Sequence, residues 1–177
     1  MKYLLTILLI LTIALKSHAQ FFSFDFTGYK TKLDAIGWGL DFNGGIHLAK
    51  CDKSKSNLMV GIGSGIHMLD GSPAKLYAPV YGQVVYYSAK NVINPYVNVR
   101  VGHAFYNGGA KFIGKEQDIK GGLYANVRIG AGIRGYNGFS AIPFIGGSFM
   151  RFRYDQVDAK AVYDKVLFNA GLSFFFK

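Results

Sequence analysis

Beyond residue 36 the chain repeats one pattern, an apolar side chain at every second position with a small or polar residue between. The stretch "GWGLDFNGGIHLA" (37–49) sets Trp38, Leu40, Phe42, Ile46 and Leu48 against Gly37, Gly39, Asp41, Asn43 and His47. Run 57–69 sets Leu58, Val60, Ile62, Ile66 and Met68 against Gly61, Gly63, Gly65 and His67. The same alternation returns in 75–89, 95–106, 122–135 and 163–176. Period two is the spacing of an extended strand, whose successive side chains point to opposite faces. Run 139–155 also reads as a strand, but Ile145 and Phe149 share a face with Arg151 and Arg153 while Ile142, Phe144, Met150 and Phe152 share the other. Alternation therefore leaves its facing open. An eighth strand is expected at "FFSFDF" (21–26), continuing towards Leu33.

The connections fit antiparallel hairpins. Asn137-Gly138 is a type I′ turn signal between two strong strands, and "KNVIN" (90–94) is similarly short. The longest gap, "NGGAKFIGKEQDIK" (107–120), reads with 70–74 and 156–162 as a loop at the opposite end. Segment "KCDKSKSN" (50–57) is long for the short-turn end.

Alternation alone does not separate a soluble barrel from a membrane barrel; the composition of the second face does. A soluble exterior would carry Lys, Glu, Thr and Ser, whereas this face holds Gly, Asn, Tyr, Gln and isolated Arg, and the chain has a single glutamate, Glu116. Such residues suit the narrow interior of a barrel of about eight strands, where glycine makes room for inward Tyr and Arg. The apolar columns are almost uncharged over about nine to eleven residues, the length of a tilted strand crossing a bilayer, and closure pairs every backbone group as hydrocarbon requires. The expected fold is all-β, an up-and-down antiparallel transmembrane β-barrel of eight strands. Its competitor is a secreted lipocalin-like barrel with the apolar columns packed in the middle.

The front end supports export. "MKYLLTILLILTIALKSHAQ" has Lys2, an apolar run from Tyr3 to Leu15, then Lys16 and a small-x-small site at Ser17-His18-Ala19, the organisation of a secretory signal peptide. The run falls short of the about 20 apolar residues that span a bilayer. Residues 1–19 are thus expected to be a signal peptide and 20–177 the barrel domain. The net charge is +10, or +8 without Lys2 and Lys16; export argues against nucleic acid as its partner, and no block of like charge forms a binding tail. Cys51, the one cysteine, has no partner for an internal disulfide.

Near the C-terminus, "NAGLSFFF" resembles the assembly signal of outer-membrane β-barrel proteins, with Asn169, Gly171, Phe174 and Phe176 in the matching positions and Lys177 as a departure. Together with the strands "YAPVYGQVVYY" and "PYVNVRVGHAF", the chain resembles the small outer-membrane barrels of the OmpA/OmpX type. The resemblance implies a monomer in the outer membrane of a Gram-negative-type envelope, surrounded by membrane lipid and lipopolysaccharide. It also implies a last strand read by the barrel-assembly machinery, and both termini on the periplasmic side. It implies no single activity.

Candidate chemistry is sparse. "GAGIRG" (130–135) satisfies G-x-G-x-x-G but leads into a turn and another strand, so the helix start a phosphate site needs is missing. His47 and His67 share the polar face, yet hairpin register puts His47 opposite position 59, about 26 Å along the strand from His67 at ~3.3 Å per residue, so they do not share an ion. His103 falls on the apolar face, and the histidine-x-serine pattern of lipid-A deacylases is absent there. Arg100 and Arg128 fall on neighbouring strands at similar height, where like charges need an anion or carboxylate between them; Asp41 is the expected counter-charge in a network plugging the lumen. The alternative is an anion-attracting passage. Loop cations Arg151, Arg153, Lys111, Lys115 and Lys160 suit lipopolysaccharide phosphates, but Glu116, Asp118, Asp155 and Asp158 among them also suit a solvated rim. No catalytic, metal or cofactor residue is expected. The reading is a non-enzymatic envelope or surface-interaction protein, with a narrow channel, a lipid-modifying enzyme and a secreted binding barrel as alternatives.

Overall fold

A computed structural model describes residues 20–30, 36–51, 56–69, 75–88, 93–107, 109–112, 115–134, 139–155 and 160–176. Every alternating run becomes a strand: β1 (Gln20–Lys30), β2 (Ile36–Cys51), β3 (Ser56–Leu69), β4 (Lys75–Ser88), β5 (Ile93–Asn107), β8 (Gly122–Arg134), β9 (Phe139–Asp155) and β10 (Lys160–Phe176). Consecutive staves pair antiparallel, and β10 pairs with both β9 and β1, which closes a barrel of eight staves. Following hydrogen-bonded partners once round leads from Phe176 through Phe22, Gly44, Ile62, Gly82, Val101, Ala125 and Phe149 back to β10 at Val166. That stagger of ten residues tilts the strands against the barrel axis.

The faces are inverted relative to a soluble protein. Arg100, Arg128, Asp25, Asp41 and His67 are 0% exposed, while Ile62, Phe168, Ile145 and Val166 stand 76%, 61%, 61% and 63% exposed. The soluble alternative, which needs the oily columns packed centrally, does not describe this arrangement. Inward glycines give the interior its room. A Cβ on Gly63 would sit 2.6 Å from the Tyr81 ring, and one on Gly102 would sit 2.0 Å from the Val80 carbonyl oxygen. The outward belt makes a direct prediction. Val127→Arg, at a site 49% exposed, is expected to cost about 2–4 kcal/mol in a bilayer; on a water-facing surface the same change would be near neutral. Unfolding titrations of the vesicle-inserted barrel measure the difference.

Several expectations are refined. Strand β9 resolves its ambiguous facing: Ile142, Phe144, Met150 and Phe152 point inward, and Ile145 and Arg153 point outward. Segment 107–120, expected as an irregular loop, contains a hairpin of β6 (Gly109–Phe112) and β7 (Lys115–Lys120), whose β7 extends the sheet beside the end of β9 from Asp118↔Asp155 to Lys120↔Arg153. Backbone pairing beyond the barrel explains the difference, since β9 and β10 are both 17 residues long and offer an edge above the rim. For the same reason β10 starts at Lys160, inside the loop expected over 156–162. At the long 50–57 connection β2 runs on to Cys51 and β3 begins at Ser56, with Cys51 paired to Ser56 past a bulge between His47 and Ala49; residues 52–55 lie outside the described residues. The expected turn at Asn137-Gly138, the signal peptide and Lys177 lie outside the described residues.

Candidate functional site

The interior is layered along the axis. One apolar cluster holds Tyr29, Leu69, Tyr77, Tyr81, Tyr124, Met150 and Phe152, and a second holds Phe21, Met59, Val85, Tyr96, Ile142, Phe144 and Phe175. The lumen is therefore less uniformly polar than its alternating pattern suggests. Between the clusters lies a polar layer built around four charges.

Staves β1 and β5 face each other across an eight-stave barrel, as do β2 and β8, so acids on the first pair of neighbours meet bases on the second. Asp25 and Asp41 are directly paired across β1 and β2; Arg100 and Arg128 sit on β5 and β8, offset by two residues through Asn98↔Arg128 and Arg100↔Asn126. Each guanidinium bridges both carboxylates. Arg100 donates from Nη1 to Asp41 Oδ2 at 3.0 Å and from Nη2 to Asp25. Arg128 donates from Nη1 to Asp25 Oδ2 at 2.8 Å and from Nη2 to Asp41 Oδ2 at 3.0 Å. Two negative and two positive charges cancel in a place where an unpaired one would cost several kcal/mol.

The surrounding side chains add further hydrogen bonds to the two carboxylates. Asp25 also accepts from Ser173 on β10 and from Asn43 Nδ2 at 3.1 Å, so it ties together five staves. Asp41 Oδ1 accepts from His67 Nε2 at 2.7 Å. In the neutral ring the other nitrogen, Nδ1, is then an acceptor, and the hydroxyls of Tyr29 and Tyr77 lie 2.7 and 3.0 Å from it. Aromatic rings cap the guanidiniums, Tyr81 4.8 Å from Arg100 and Phe144 4.4 Å from Arg128, one from each apolar cluster. The polar layer is enclosed on both sides.

The sequence-derived residues divide accordingly. Arg100, Arg128 and Asp41 meet as expected. His47 stands opposite Met59, as register required, and its ring packs 6.3 Å from Phe21, well away from His67. His103 faces outward, its ring 4.8 Å from Phe105, with Val80 and Leu123 as its cross-strand neighbours. Among the described residues no group of three or more His, Cys, Asp and Glu could hold a metal ion. Residues 130–134 of "GAGIRG" lie in β8, which stays extended through Arg134. Arg151 makes a two-point pair with Asp164 at 2.7 and 2.8 Å on the outer wall. In the last strand Asn169 points inward and Phe176 outward.

Two participants were missed, Asp25 and the His67 link. The argument that Arg100 and Arg128 need an anion applies in mirror image to two carboxylates in register on β1 and β2, and this could have found Asp25.

No family model matches the sequence, and neither does any curated protein. Solved structures do match in shape. The outer-membrane enzyme PagL superposes with a TM-score of 0.52 at 19% identity, covering 88% of this chain and 99% of that one. Neisserial surface protein A gives 0.57 at 10% identity over 88% and 92%. The outer-membrane protein AlkL, solved in lipid bilayers, gives 0.55 at 14% over 90% of each chain. At these identities the likeness concerns fold alone, and it agrees with the stave count and the inverted faces: the chain has the fold of the small eight-stranded outer-membrane β-barrels.

Proposed function

We propose that this protein is an outer-membrane barrel with a structural or surface-interaction role in the cell envelope, and that its lumen is closed. The observation that carries this reading is the neutral Asp25–Asp41–Arg100–Arg128 layer sealed between two apolar clusters. An ion entering that layer would have to displace charge-assisted hydrogen bonds while losing its own water. A narrow channel is the weaker reading for that reason. A lipid-modifying enzyme is weaker too, because a nucleophile needs a base within about 3 Å and the strand neighbours of outward-facing His103 are apolar. The fold itself decides nothing here, since an enzyme and a surface protein are among its neighbours.

In this reading the belt contacts membrane lipid, the loop-end cations lie among lipopolysaccharide phosphates, and the barrel-assembly machinery reads the strand bearing Asn169, Gly171, Phe174 and Phe176. The protein works as a monomer. Expression of the full chain in a Gram-negative host tests it. The expected product fractionates with the outer membrane, needs detergent for extraction, shifts gel mobility on heating and passes no current in planar bilayers. Recovery in the soluble fraction would overturn the membrane assignment; discrete conductance steps would favour the channel. Lipid-A mass spectra that change with the gene would favour the enzyme.

A further inference from the structure

Two outward columns break their apolar pattern at one level. On β3 the column Val60, Ile62, Ser64, Ile66 contains a hydroxyl, and on β5 the column Val99, Val101, His103, Phe105 contains an imidazole; both side chains are exposed. Ser64 is paired with Val80, and Val80 with His103. The two polar groups therefore stand in one row, two strand spacings apart, about 9–10 Å. Neither has a hydrogen-bond partner among the described residues. A polar group turned to hydrocarbon without a partner is costly, and here two such groups are aligned.

Directly beside this row, towards the Ser88 end of β4, runs the row Ile62, Gly82, Val101. Gly82 faces outward, and a Cβ there would meet nothing nearer than the Val101 carbonyl oxygen at 4.0 Å. Packing within the protein does not call for glycine at this position. Around Gly82 lies an open hollow of about 480 Å³ lined by Phe42, Ile62, Ser64 and Val80. Of the outward side chains that line it only Ser64 is polar, and His103 stands next to it across Val80.

We propose that the hollow and the Ser64–His103 row form a site for one acyl chain of a membrane lipid. The methylenes lie over Gly82 against Phe42 and Ile62, and the ester or amide that joins the chain to its head group meets Ser64 and His103. The Ser64 hydroxyl donates to the acyl carbonyl, and an imidazole N–H supplies the second donor. An apolar hollow with hydrogen-bonding groups along one edge matches an amphiphile with a long tail and a polar link at one end. This inference rests on the membrane reading above.

The test uses the full mature barrel in nanodiscs of phosphatidylcholine doped with a phosphatidylcholine carrying a diazirine on its acyl chain. Photolabelled peptides are mapped by mass spectrometry. Labelling is expected to concentrate at Ile62 and Val80, several-fold above Val166 and Leu172 on β10, across the barrel from β4. Gly82→Leu should reduce it to that background, and the Ser64→Ala, His103→Phe pair should lower it in part. Gly147→Leu, an outward site where a Cβ meets nothing nearer than 3.9 Å, should leave it unchanged. Heat-shifted mobility verifies that each variant folds. Even labelling around the belt, indifferent to Gly82→Leu, would mean bulk lipid contact only and would overturn the site. A chain that never inserts, with no heat-shifted form, would overturn the membrane reading as well.

Discussion

Asp25→Ala is expected to cost about 3–5 kcal/mol of barrel stability, the penalty of breaking a buried charge pair from one side. The carboxylate is 0% exposed and accepts from Arg100, Arg128, Asn43 and Ser173. Without it, two buried guanidiniums share Asp41 alone and the interior carries a net positive charge. The measurement is a urea titration of the barrel in detergent or vesicles, followed by heat-shifted gel mobility. A companion change separates charge from packing. Asp25→Leu with Arg128→Met restores neutrality, so the double variant should recover most of the loss, as apolar replacements of buried ion pairs commonly do. If Asp25→Ala unfolded at the parent's urea concentration, the charged layer would not be what holds the staves together.

Gly63→Val is the second large effect expected. The Tyr81 side chain crosses the lumen wall between two glycines, Gly63 and Gly102, its cross-strand partners. From there its hydroxyl donates to Asn43 Oδ1 at 2.8 Å and its ring covers Arg100. A Cβ at residue 63 would lie 2.3 Å from Asn43 Oδ1 and 2.6 Å from the ring, so both must move and the cap over the charged layer is lost. Overpacking of this kind costs about 3 kcal/mol or more once a hydrogen bond goes with it. Gly82→Ala, on the outward face, should change stability by less than about 0.5 kcal/mol. Equal effects from the two substitutions would contradict the division between crowded inward and open outward glycines.

Much of this architecture was legible in the sequence because strand period and glycine placement are local signals. Trp38, Leu40 and Phe42 against Gly39 and Asp41 define two faces without any knowledge of partners, and the scarcity of glutamate says which face meets water. What was not legible depends on distance in the chain. Ile142 and Phe144 could not be assigned a side from β9 alone, because inward positions there are apolar wherever the lumen passes through one of its two oily clusters. Asp25 looked like one polar residue in a short phenylalanine-rich run. Its importance comes from staves β5 and β8 on the far wall, which only barrel closure brings within reach. The β6–β7 hairpin was hidden for a related reason, since it is supported by the projecting end of β9 and its own residues show little alternation.

The Ser173–Asp25 contact joins residues 148 positions apart, the first stave to the last. That carboxylate therefore meets this donor only when the last stave has closed on the first, and no half-built sheet offers it its full set of ligands. Completion of the ring and satisfaction of its most demanding side chain coincide, which gives the finished cylinder a built-in proofreading step: a chain cut short anywhere before its last strand cannot counterfeit the native interior.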